Sequence, residues 1–179
     1  MNKQEHTQLL RLARETIIAT VSRQPLPKLD NPPAALLSRS GCFVTIKRNG
    51  ELRGCIGNFV SDRPLWETVR EMAVAAATQD PRFPPMQAEE LADFSLEISV
   101  LSPLHEVAAV DEIQVGTHGL YIIKGHAHGV LLPQVATEYG WDRDTFLRQT
   151  CHKAGLPQDA WQQPGCRILS FSAEVFGEQ

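Results

Sequence analysis

The dipeptide Asn49-Gly50 constrains the fold of this chain most strongly, because it separates two segments with the composition of β-strands. Asn-Gly is the favoured pair for a two-residue type I′ turn, which joins antiparallel strands. The sequence therefore predicts a hairpin in which residues 42–47 form one strand and residues 51–57 form the other.

A two-residue turn also determines which residues of the two strands lie opposite each other. We expect Ile46 to face Arg53 and Val44 to face Cys55. Because side chains alternate between the two faces of a strand, Arg53 and Cys55 would share a face with Cys42, Val44 and Ile46. The predicted register thus places a guanidinium group beside a thiol.

Hydrophobic spacing and turn residues divide the rest of the chain into helices and strands. Helices are predicted at 3–22, 64–79, 87–91, 133–139 and 142–155, and strands at 94–100, 120–124, 130–132 and 166–176. After an N-terminal helix within 1–22, segments 41–102 and 113–176 both follow the order hairpin, helix, helix, strand, which indicates a duplicated unit. The predicted fold class is α+β: a largely antiparallel sheet with flanking helices, in one domain over 1–179 whose halves form two lobes around a cleft.

Charge and hydropathy argue against several classes of protein. Lys and Arg total 17 against 21 Asp and Glu, a net charge of −4, so direct binding to nucleic acid is not expected. No segment approaches the ~18 apolar residues of a membrane-spanning helix, and the first residues form no apolar signal segment. The cysteines Cys42, Cys55, Cys151 and Cys166 form no CxxC pair, which predicts reduced thiols in a cytoplasmic protein.

Cys55 is the first candidate for chemistry. It lies between Gly54 and Gly57, and glycine within a strand often marks a close approach of a ligand or another backbone. Arg53 is two residues away, roughly 6.5 Å along a strand, where a cation favours the thiolate. The alternative is that Cys55 is a small buried core residue, as free cysteines usually are. A disulfide with Cys42 is not expected, because diagonal neighbours on paired strands lie about 7–8 Å apart.

Three histidines could take part in chemistry. His118, in a glycine-flanked segment before a strand, could serve as a base or ligand, or could be a turn residue bonded to the backbone. His126 and His128 form an H-x-H pair in the expected tip of the second hairpin, where polar residues collect for other reasons. With no third or fourth ligand near them in the sequence, no metal site is predicted.

Four charged residues have both a structural and a functional interpretation. Asp80 and Arg82 follow a predicted helix, where they either shape the proline-rich turn or form a cleft wall that binds an anion. Glu97 lies on the polar face of its strand, as a solvated carboxylate or as a general base. Lys153 lies in the last turn of a helix, where the helix dipole favours a cation.

The hexapeptide Leu52-Arg53-Gly54-Cys55-Ile56-Gly57 resembles the signature of the AMMECR domain family, whose members include protein A of the AmmeMemoRadiSam system. Further segments that resemble the family pattern lie at 80–83, 99–102, 118–120, 131–135 and 153–156. The matches run from about Gly41 to the C-terminus, and Asn58 departs from the threonine of many relatives.

The resemblance implies an α+β fold with an antiparallel sheet and a cleft near the hexapeptide. It also implies association with a Memo-like protein and a radical SAM protein, and it supplies no settled reaction and no known cofactor. Carried onto this chain, the family motifs also include Pro133. They give Cys55 and His118 as candidate catalytic residues, and Arg53, Gly54, Gly57, Asp80, Arg82, Gln134 and Lys153 as candidate ligand-binding residues.

Two functions of different classes remain open from the sequence, and nucleic-acid modification is a third option that the acidic net charge argues against. In the first, the protein is an enzyme in which Cys55 is a nucleophile or redox thiol, Arg53 or Arg82 stabilises negative charge, and His118 is the base. In the second, the glycine-rich hairpin is a non-catalytic surface that binds the Memo-like or radical SAM partner, and Cys55 is a packing residue.

Overall fold

The structure, a computed structural model, describes residues 1–178 and has the predicted α+β class. The helices are α1 (Lys3–Val21), α2 (Leu65–Thr78), α3 (Pro133–Glu138) and α4 (Arg143–Lys153). The strands are β1 (Cys42–Arg48), β2 (Glu51–Asn58), β3 (Phe94–Leu101), β4 (His105–Glu106), β5 (His118–Lys124), β6 (Ala127–Leu131) and β7 (Arg167–Gly177). Antiparallel pairing joins β1 to β2 and β3, β5 to β6 and β7, and β4 to β7. The predicted antiparallel sheet with helices is therefore confirmed.

The chain folds into two compact units. The first comprises residues 1–101 together with the C-terminal segment from Glu174, and the second comprises residues 102–173. Strand β7 contributes its first residues to the second unit and its last residues to the first. None of the helices in residues 1–178 combines the length and the apolar character needed to cross a membrane.

The first hairpin has the turn that its sequence predicts. Asn49 and Gly50 both have positive φ, at 52° and 80°, as a type I′ turn requires. In the first unit the strands follow the order β2, β1, β3 and β7. Alternate residues of β1, which are Cys42, Val44 and Ile46, are fully buried in a core that they share with α1 and α2.

The predicted register of β1 and β2 is wrong beyond the residues next to the turn. A β-bulge shifts the pairing, so that Ile46 faces Gly54, Thr45 faces Cys55, and Arg53 has no residue opposite it. One extra residue moves every later side chain of the strand to the other face. Cys55 therefore shares a face with Thr45 and not with the buried residues of β1.

The second unit contains the strands β4, the first part of β7, β5 and β6 around its own core of residues from β5 and α4. Its hairpin turn is shorter than predicted, because Lys124 pairs with Ala127 and only Gly125 and His126 lie between them. Consequently His128 is not at the tip: it lies within β6, opposite Ile123.

Candidate functional site

Asp80 is the centre of a hydrogen-bonded cluster in the first unit. It lies two residues after α2 and is only 4% exposed. Its Oδ1 accepts hydrogen bonds from the backbone N–H and the Nε of Arg82, both at 3.0 Å. Its Oδ2 accepts from Nη2 of Arg82 at 2.7 Å and from the backbone N–H of Cys55 at 2.9 Å. One carboxylate thus joins the loop after α2 to strand β2.

The same contacts keep the carboxylate of Asp80 ionised. Hydrogen bonds from the Arg82 side chain lower the pKa of Asp80 well below its usual range, against the opposing effect of burial. The backbone N–H groups of Cys55 and Arg82 lower the pKa further. Asp80 is therefore an acceptor that orients its neighbours, and it carries no proton to donate near neutral pH.

Cys55 is half-buried, and its thiol faces polar groups. The hydroxyl of Thr45 donates a hydrogen bond to Sγ at 3.2 Å. The pKa of Arg82 is raised mainly by its hydrogen bond to Asp80, and the charge of the Cys55 side chain also contributes. The sulfur thus lies beside a hydroxyl donor and near the guanidinium of Arg82.

The cation near the sulfur is Arg82, whereas Arg53 is engaged by another partner. Its Nε and Nη2 donate to Glu90 at 2.6 and 3.0 Å, and Nη2 also donates to the carbonyl of Pro84 at 2.9 Å. Hydrogen bonds from Arg53 lower the pKa of Glu90 to about 2. The register predicted for Arg53 is wrong, because a β-bulge leaves Arg53 with no residue opposite it.

The glycines around Cys55 are explained by close packing. A methyl group at Gly54 would overlap the carbonyl oxygen of Ala76 in α2. A methyl group at Gly57 would overlap the ring of Phe43 and the carbonyl of Cys42. The close approach that the glycines predict is therefore made by a helix and an aromatic ring of the protein itself.

Glu97 lies on the same face of the sheet as Cys55. It is opposite Thr45 on the neighbouring strand β3, so that Cys55, Thr45 and Glu97 form a row across three strands. Lys47 forms an ion pair with Glu97 at 2.9 Å. The sequence does not indicate Thr45 or Glu90 as part of this site. The contact of Thr45 with Cys55 and that of Glu90 with Arg53 both depend on the bulged register.

The remaining candidate residues lie in the second unit. His118 begins β5, and its Nδ1 accepts a hydrogen bond from the backbone N–H of Gln114 at 3.1 Å. A backbone N–H can only donate, so the neutral imidazole carries its proton on Nε2. His118 is thus arranged as a hydrogen-bond donor. Gln134 and Lys153 are exposed on α3 and α4.

Within residues 1–178, no three His, Cys, Asp or Glu side chains are grouped so as to hold a metal ion. His126 is exposed in the turn of the second hairpin. His128 contacts the ring of Tyr121 edge-on, with ring centroids 6.1 Å apart.

Fold and site together define an α+β protein of two units, with a cysteine, an aspartate and an arginine clustered beside an antiparallel sheet. The AMMECR1 family model matches residues 10–176, and the chain belongs to the AMMECR1 family. The resemblance carried by the hexapeptide is therefore confirmed.

Relatives match over almost the entire chain. A protein of Methanothermobacter thermautotrophicus is 43% identical over 99% of this chain and 96% of its own length. A protein of Thermococcus kodakarensis is 43% identical over 96% of this chain and 89% of its own. The crystal structure of an uncharacterized protein from Pyrococcus horikoshii has a TM-score of 0.86 at 37% identity, covering 100% of this chain and 94% of that one.

Proposed function

We propose that this chain is the protein A component of an AmmeMemoRadiSam-type system and has a thiol-dependent site at Cys55. In this proposal Cys55 is the reactive group, Thr45 donates a hydrogen bond to its sulfur, and Arg82 attracts a small anionic ligand. Asp80 positions Arg82 and the backbone of Cys55, and does not touch the ligand.

One observation carries the proposal: Asp80 binds the backbone of Cys55 and the side chain of Arg82 at the same time. The guanidinium is therefore oriented even though the Arg82 side chain is 54% exposed. Nη1 of Arg82 has no hydrogen-bond partner among residues 1–178, so this end of the guanidinium group is free to bind an anion.

The proposal is tested by the rate at which iodoacetamide alkylates each cysteine, located by mass spectrometry, between pH 6 and 9. Cys42 and Cys151 are buried, whereas Cys55 and Cys166 are half-buried, so Cys166 is the matched control. We expect Cys55 to react faster than Cys166 below pH 8, and Arg82→Gln to slow only Cys55, about threefold to tenfold.

Two results would contradict the proposed thiol chemistry. One is a rate at Cys55 no greater than at Cys166. The other is full activity of the reconstituted system with Cys55→Ser, measured beside a Cys166→Ser control.

A binding role is the second candidate, and the position of β2 favours it. Strand β2 is at the end of the strand order and pairs with β1 alone among the described strands. Apolar side chains are exposed along it and just after it, at Leu52 and Val60. Unpaired strand edges with exposed apolar groups are common sites of protein association.

Co-purification with the Memo-like and radical SAM proteins of the same system separates the two candidates. A binding role predicts that Leu52→Lys with Val60→Lys abolishes co-purification, while Cys55→Ser keeps both co-purification and system activity. The thiol-dependent role predicts that Cys55→Ser keeps co-purification and loses activity.

A further inference from the structure

A cavity lies among residues of the second unit, and its lining shares no residue with the Cys55 cluster. Its volume is about 280 Å³, near the lower end of the range for small-molecule sites, which starts at about 300 Å³. Polar side chains dominate its lining: Ser102, His105, Glu112, His118, Ser170 and Ser172.

The strand register brings four of these residues to one face. His118 of β5 is opposite Ser172 of β7, and Ser170 of β7 is opposite His105 of β4. Since alternate residues share a face, Ser170 and Ser172 point to the same side. Leu120, which is opposite Ser170, is fully buried on that side. These four polar residues thus lie at one end of a sheet face whose remaining residues belong to the core.

Ser170 contributes a hydroxyl that is free to bond a ligand. It is only 6% exposed, yet none of the hydrogen bonds formed by side chains within residues 1–178 involves its hydroxyl. Among residues 1–178 the fully buried side-chain nitrogen or oxygen without a partner is Nε of Arg143, so the hydroxyl of Ser170 is open to solvent through the cavity. Ser102, in contrast, accepts a hydrogen bond from the N–H of Ser172 at 2.8 Å and donates to the carbonyl of Pro103 at 3.2 Å.

The lining provides donors and acceptors of known type. His118 offers an Nε2–H, because the N–H of Gln114 occupies its Nδ1. Glu112 offers a carboxylate that takes part in none of the ion pairs formed within residues 1–178. Across the described residues of the lining there is no lysine or arginine to balance a charged anion. A neutral ligand with several hydroxyl groups fits this combination.

We infer that this cavity binds a vicinal diol, as in a free pentose or the ribose of a nucleoside. Glu112 accepts hydrogen bonds from the two adjacent hydroxyls, His118 donates from Nε2 to a ring or hydroxyl oxygen, and Ser170 gains the partner that it lacks. The inference does not depend on any role for Cys55.

The test is a titration of the ¹⁵N-labelled full chain by NMR with four probes: D-ribose, uridine, 2′-deoxyuridine and inorganic phosphate. We expect saturable shifts at the amides of Ser170 and Ser172 with uridine, and at least tenfold weaker binding of 2′-deoxyuridine, which lacks the diol. If D-ribose matches uridine, a free sugar suffices as ligand. If only uridine binds, the ligand is a nucleoside.

Matched variants assign the contacts. Glu112→Gln should weaken the binding of uridine about tenfold, since hydrogen bonds to charged groups are the stronger ones, whereas Glu138→Gln on the exposed surface of α3 should not. His118→Gln should weaken binding and His126→Gln should not. Equal binding of uridine and 2′-deoxyuridine, shifts with phosphate alone, or no saturable shift with either diol would overturn the inference.

Discussion

In the first unit, Gly54 of β2 packs against the carbonyl of Ala76 in α2, and in the second unit Gly129 of β6 packs against the backbone of Ala154 at the end of α4. Each unit therefore docks a helix on the second strand of a hairpin, at a glycine. The two units differ in their buried polar groups. Asp80 has four hydrogen-bond donors, whereas the hydroxyl of Ser170 has no partner among the described residues.

These are two different uses of a polar side chain on a buried residue. A group whose hydrogen bonds are complete contributes to stability, and its removal leaves its partners unsatisfied. A group without partners contributes nothing to stability, and it gains its hydrogen bonds only when a ligand or water arrives. Stability measurements therefore distinguish the two sites without knowledge of either ligand.

The largest expected effect is that of Asp80→Ala. The change leaves the Cys55 N–H and the Arg82 guanidinium without their acceptor, and we expect a loss of about 3 kcal/mol in the free energy of unfolding. Urea denaturation measures it. Asp93→Ala is the control, because Asp93 is an exposed partner of Arg48, and should cost less than about 1 kcal/mol. Equal losses in the two variants would mean that the buried cluster does not stabilise the first unit.

The next largest effects are expected where Gly54 packs against α2 and where Gly129 packs against the end of α4. Gly54→Ala and Gly129→Ala each place a methyl group on backbone atoms that cannot move alone, and each should cost about 2–3 kcal/mol. Leu52→Ala and His128→Ala, at exposed positions of the same strands, serve as controls in the same denaturation experiment. A large loss in only one unit would show that the hairpins hold their helices differently.

Acid should remove the stabilisation provided by Glu90. Its pKa is lowered from 4.5 to about 2 by Arg53, so the contribution is complete above pH 4.5 and is lost as the pH falls towards 2. We expect Glu90→Gln to cost about 2 kcal/mol at pH 7 and much less near pH 2. Urea denaturation across this range checks it, with the exposed Glu89→Gln as control. A cost that does not change with pH would contradict the ion pair.

The smallest expected effect is that of Ser170→Ala. Because the hydroxyl lacks a partner, its removal should change the free energy of unfolding by no more than about 0.5 kcal/mol. The same variant should lose affinity in the uridine titration. A loss of stability above about 1.5 kcal/mol would show that Ser170 already has a structural partner, and the contrast between the two units would fail.

Part of the candidate site could be predicted from the sequence. The hexapeptide and the segment 80–83 identified Cys55, Asp80 and Arg82, which do lie together. The register predicted for Arg53 is wrong, and no residue near Asn49-Gly50 signals the bulge. The cavity at Ser170 could not be found, because its walls come from three strands whose pairing the sequence does not specify.

The sequence by itself determined the features that act over a few residues: the positive φ angles of Asn49 and Gly50, the hydrophobic faces of α1 and α2, and the alternation along β3. Only the tertiary structure decided which groups meet across long separations, such as the backbone of Cys55 with Asp80, 25 residues away. The reason is physical: turn and helix preferences are properties of neighbouring residues, whereas a hydrogen bond between distant segments exists only after packing has brought them together.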